Sequence, residues 1–96
     1  MSETRRVVVT GLGAITPLGS NAPETWNGLK SGKNGIGPIT LFDTENFKAR
    51  LGAEVKDFDP RAYLEVNDVL RTDRYAQFAV AAAQQAVADS GAEGVV

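Results

Sequence analysis

Apolar and polar positions divide the chain into short blocks. The first is Val7-Val8-Val9, set between Arg5-Arg6 and Thr10-Gly11. A continuous β-branched run is the pattern of a strand covered on both faces in a parallel sheet, and it predicts a strand over residues 6–11. Gly11 and Gly13 break that run. Thr16-Pro17-Leu18-Gly19 reads as a turn, because the residue before a proline is pushed out of the helical region. Asn21 and Glu24 have the spacing of a capping box, with Pro23 tolerated in the first turn. They predict a helix over residues 22–31, stopped by a left-handed Gly32 and with an apolar face marked by Trp26 and Leu29. Residues 31–38 read as a Gly-rich loop, and residues 39–47, apolar without a period, as irregular chain with room for one helical turn.

Residues 50–55 alternate, with Leu51, Ala53 and Val55 on one side and Arg50, Gly52 and Glu54 on the other, which predicts a half-exposed strand. Asp59-Pro60 turns the chain into a short helix over residues 60–64. The clearest periodicity predicts a helix over residues 72–90: Tyr75, Phe78, Ala79, Ala82, Ala83, Ala86 and Val87 recur at steps of three and four. Arg74, Gln77, Gln84, Gln85 and Asp89 fall mostly elsewhere on the wheel, and Gly91 is the stop. Its alanines make this helix thin, so that other backbone can approach it closely.

These elements describe an α/β architecture that is incomplete. A strand buried on both faces needs a neighbour on each side and helices above and below. The second strand candidate is short and half polar, and the alanine face of the long helix calls for bulky partners that the chain barely has. Gly94-Val95-Val96 carries no stop signal. The expectation is therefore the first part of a larger α/β domain, marginally folded when isolated. A small α/β domain stabilised by oligomerisation is the alternative.

Composition removes whole classes of chemistry. The 96 residues contain no cysteine and no histidine, so they offer no disulfide, thiol nucleophile, imidazole base or Cys/His metal site. Ten basic and twelve acidic residues give a net charge of −2, without the basic footprint of a nucleic-acid binder. No apolar run is long enough for a secretory signal or a membrane span. The expected setting is cytoplasmic, with no nucleic-acid or membrane partner.

Three motifs carry candidate chemistry. Gly11-Leu12-Gly13 after a strand suggests a dinucleotide loop, but Thr16 stands at the third glycine position, Pro17 follows it, and residues 30–37 hold no acidic residue to meet a ribose. A nucleotide-binding α/β domain is kept as an alternative; otherwise the glycines serve tight backbone geometry. Asp57, Asp59, Glu65, Asp68 and Asp73 match no calcium-loop spacing and read as solvated charge, with Asp68 or Thr72 available as helix caps. Arg71 and Arg74, at the start of the long helix, are poorly placed for its dipole. They call for a partner: Asp68, Asp73 or an anionic ligand.

The ordered set Arg5-Arg6-Val7-Val8-Val9-Thr10-Gly11-Leu12-Gly13, Thr16-Pro17-Leu18-Gly19, Trp26, Gly35-Ile36, Phe42-Asp43, Val55-Lys56-Asp57-Phe58, Asp73-Arg74-Tyr75-Ala76-Gln77-Phe78-Ala79 and Ala88-Asp89-Ser90-Gly91 resembles the opening of the β-ketoacyl-acyl-carrier-protein synthases. It is most similar to the type II synthases of bacterial fatty-acid elongation; polyketide ketosynthases and a non-catalytic, chain-length-factor-like subunit are alternatives. The resemblance implies a thiolase-like fold of two similar α/β halves in a homodimer, with residues 1–96 beginning the first half. It implies decarboxylative condensation of malonyl carrier protein with a cysteine-bound acyl chain, assisted by two histidines. Those residues lie beyond this segment in the family, so no catalytic residue, cofactor site or metal site is assigned here and the segment alone is expected to be inert. The implied partner is acyl carrier protein. Arg71 matches a basic position that faces the acidic carrier in family members, and Arg74 stands beside it; Asn67 and Leu70 occupy positions that are basic elsewhere, so the patch is thinner.

Overall fold

The computed structural model describes residues 4–92. In chain order its elements are helix α1 (Ala22–Lys30), strand β1 (Ile36–Pro38), strand β2 (Leu51–Ala53), a 3-10 turn (Pro60–Ala62), helix α2 (Val66–Arg71) and helix α3 (Arg74–Ser90).

α1 forms where local chemistry asks for it. Asn21 Oδ1 accepts the Glu24 amide at 2.9 Å, and the Glu24 carboxylate reaches back to the Ser20 amide at 3.0 Å. The helix ends in a Schellman motif: Gly32 has φ +76°, its amide donates to Leu29 O, and the Lys33 amide donates to Gly28 O at 2.9 Å. The face that packs is not the expected one. Trp26 and Leu29 stay 59% and 58% exposed, while Gly28 is buried against Leu18. The turn before α1 is as expected, with Thr16 and Gly19 bonded to each other and the Thr16 hydroxyl oxygen accepting the Leu18 and Gly19 amides.

The sheet differs from expectation. Residues 6–11 form no strand, and Val7 is 91% exposed. A strand is completed by its neighbours, and among the described residues none lies alongside this one. The two strands that do form are β1, inside the expected loop, and β2; they pair antiparallel with Gly37 opposite Gly52. Leu51 and Ala53 face outward, and the covered position is Gly52, beneath the Ile39 side chain.

The helical part also carries a correction. The stretch expected as one helix from residue 72 begins at Arg74, and a separate α2 precedes it. Thr72 and Asp73 between them are extended, so neither Asp68 nor Thr72 is an N-cap; the N-cap positions are Glu65 and Asp73, without side-chain cap bonds, and Thr72 is instead the C-cap of α2. α3 closes on Gly91 at φ +72°. Its buried residues are Ala81 and Gln77, the second of which the helical wheel puts off the apolar stripe. Phe58, Tyr63 and Phe78 pack as a cluster beside it, Phe58 meeting Phe78 edge-on at 4.9 Å and stacking on Tyr63 at 6.1 Å.

The expectation of incompleteness finds support in this packing. No large side chain is fully buried among the described residues, and the radius of gyration is 17.3 Å. A compact domain of this length has roughly 12–13 Å.

Candidate functional site

Two places bring chemistry-bearing groups together: the Gly11–Gly13 segment on α3, and the corner between α2 and α3.

The glycine segment lies across the thin face of α3. A Cβ on Gly11 would come within 2.2 Å of Ala86 O, and one on Gly13 within 1.9 Å of Ala82 O. Only glycine allows this approach, and the alanines beneath leave room for it. Two side chains of α3 then bond the passing backbone: Asp89 Oδ2 accepts the Leu12 amide at 2.9 Å and Gln85 Oε1 accepts the Ala14 amide at 3.0 Å. Gln85 also donates to Ser20 O at 2.7 Å and to the Tyr63 hydroxyl at 2.9 Å, tying three segments to one helix. A phosphate cradle needs free loop amides at a helix N-terminus. Here the amides of Leu12 and Ala14 already have acceptors, one of them a carboxylate, so the glycines serve packing.

At the second place, Arg71 sits in the last turn of α2 rather than the first turn of the long helix. A cation is well placed there, against the negative end of the helix dipole. Arg74 does open α3, and its position is explained by other contacts: Nη2 donates to Val55 O at 2.8 Å, and the guanidinium lies 5.0 Å from the Phe78 ring centre and 6.0 Å from that of Phe58. The expected pairs with Asp68 or Asp73 do not form. The one ion pair among the described residues is Arg61 with Asp59, at 3.3 Å. Arg71 and Arg74 are both exposed.

The remaining carboxylates stand apart. Asp59 accepts the Arg61 amide and then its guanidinium, which hold its carboxyl below the usual aspartate value. Among the described residues no three potential metal ligands converge, and no helix is long and apolar enough to cross a membrane.

Sequence reasoning missed Gln77 and Gln85 as organising residues. Polarity on an alanine-rich helix was the signal, but the exposed Gln84 shares it; Gln77 is buried and Gln85 half-buried, and both are held by bonds to groups outside the helix.

Residues 4–94 match the model of the family described as beta-ketoacyl synthase, N-terminal domain. The chain belongs to the β-ketoacyl synthase family. This ketosynthase segment is 53% identical over 88 residues to 3-oxoacyl-acyl-carrier-protein synthase 2 of Synechocystis sp., covering 92% of this chain and 21% of the relative. It is 47% identical over 91 residues to the protein of the same name from Coxiella burnetii, covering 95% of this chain and 22% of the relative. The segment thus spans about a fifth of the length of the curated relatives it matches. Among solved structures it is similar to the ishigamide ketosynthase/chain length factor, with a TM-score of 0.78 and 43% identity over 91% of this chain and 22% of that one.

Proposed function

We propose that residues 1–96 open the first of two α/β halves of a thiolase-like β-ketoacyl-acyl-carrier-protein synthase that elongates fatty acids as a cytoplasmic homodimer. The observation that carries this reading is the ordered identity, over nearly the whole chain, to proteins named 3-oxoacyl-acyl-carrier-protein synthase 2. The reaction is a decarboxylative Claisen condensation. A cysteine outside this segment accepts the acyl chain as a thioester. Malonyl carrier protein loses carbon dioxide, and the resulting carbanion forms the new bond to the acyl carbonyl as the cysteine thiolate leaves. With no cysteine and no histidine, this segment contributes scaffold and binding.

The binding contribution is a docking edge for acyl carrier protein. Arg71 supplies an exposed cation at the end of α2, and Arg74 a second one held in place by Val55 O and two aromatic faces. Charge complementarity of this kind governs encounter rate and register.

The name of the solved relative favours a second reading, a non-catalytic chain-length-factor-like subunit or a polyketide ketosynthase. Incubating the full-length protein with malonyl and acyl carrier proteins separates the catalytic readings from the non-catalytic one. A catalytic protein yields β-ketoacyl carrier protein and carbon dioxide; no product from the purified protein, with product restored by a paired ketosynthase, supports the non-catalytic subunit instead.

A further inference from the structure

We propose that Gln77 is a positioning residue for carrier docking, holding the C-terminal end of α2 against α3 and so aiming Arg71. The inference rests on the docking role of Arg71 proposed above.

A six-residue helix does not hold itself, because its first turn costs more than its few hydrogen bonds return. α2 lacks a side-chain N-cap, and its last carbonyls have no partners within the helix. Those partners come from outside it. The Gln77 side-chain amide donates to Val69 O and Thr72 O, each at 3.2 Å, with the Thr72 hydroxyl oxygen at 3.4 Å. That hydroxyl in turn donates to Asp68 O at 2.7 Å. Gln77 thus reaches back from the first turn of α3 and, with Thr72, closes the open end of α2.

Gln77 is 6% exposed, so water does not compete for these bonds. The pair of carbonyls it bridges brackets Leu70 and Arg71, so the same bonds that stop α2 fix the direction in which Arg71 leaves it. An apolar residue of equal size would fill the space and leave two half-buried carbonyls without their donor.

The test is a double-mutant cycle on the affinity of the full-length synthase for acyl carrier protein at low salt. Gln77→Met and Arg71→Ala are each expected to weaken binding, by about five- to tenfold. The double variant is expected to bind like Arg71→Ala alone, because Gln77 acts through that side chain. Additive losses, or an effect of Arg71→Ala with none of Gln77→Met, overturn the positioning role. No effect of Arg71→Ala overturns the docking reading beneath it. Thr72→Val, which removes one hydroxyl, supplies a milder second arm if Gln77→Met fails to fold: its loss should likewise vanish in the Arg71→Ala background, and an additive loss contradicts the inference.

Discussion

The backbone amide of Leu12 donates to the side chain of Asp89 across 77 residues of sequence, at 2.9 Å. This bond and its neighbour from Ala14 to Gln85 hold the glycine segment on α3 at a distance no side chain would permit. Gly13→Ala would drive a Cβ into Ala82 O. Because the obstacle is helix backbone, the substitution should cost on the order of 2–3 kcal/mol and lower the thermal midpoint of the full-length protein in calorimetry. Gly37→Ala, where a Cβ would meet nothing within 4 Å, is the control and should leave the midpoint in place.

The same two bonds predict the absence of a nucleotide site in this loop. NAD(P) titrated by calorimetry should show no saturable binding at micromolar concentration. Asp89→Asn should not create it, since Gln85 still occupies the Ala14 amide.

Glu54 clamps the loop after β1, accepting the Thr40 hydroxyl at 2.9 Å and the Thr40 and Leu41 amides at 3.1 Å. Desolvation alone would raise its pKa; these bonds and the nearby Lys56 outweigh that and lower it. A lowered folded-state pKa means the clamp is fully present above the ordinary glutamate value and is lost as pH falls through the folded one. The Thr40 and Leu41 amide resonances should therefore shift with a midpoint below that of an unperturbed glutamate. A midpoint at or above it would remove the clamp from the account.

The isolated chain should not melt cooperatively. Among the described residues the buried hydrophobic core is Ala81, while Val7, Val9, Leu70 and Tyr75 are each more than 75% exposed. Circular dichroism of the dilute monomer should show a gradual loss of helix on heating, and a sharp transition would contradict the reading of an incomplete domain.

What was legible in the sequence was local. Asn21 with Glu24, Gly32 and Gly91 each act within one turn of chain, and each sits where its chemistry placed it. The valine strand was not, because strand pairing depends on residues far away in the chain. Helix α2 was not read at all, because its six residues are too short to show a period, and so Arg71 was assigned to the start of α3 rather than the end of α2. The helical wheel put Gln77 and Gln85 off the apolar stripe. Their bonds lie to backbone and hydroxyl groups of other segments, which a helical wheel does not contain. Arg74 does have partners, but they are a carbonyl and two rings, which charge counting cannot find; Arg71 stands at the negative end of α2, and the expected pairs with Asp68 or Asp73 do not form.

The central claim about this segment is that its α2–α3 edge receives an acidic carrier protein. The measurement that tests it most directly is the affinity of the full-length synthase for acyl carrier protein at low salt, comparing the wild type with Arg71→Glu. Reversing one exposed charge at a complementary interface should weaken binding by about tenfold or more, chiefly through slower association, and added salt should shrink the difference. An affinity unchanged by Arg71→Glu at low salt would contradict the account.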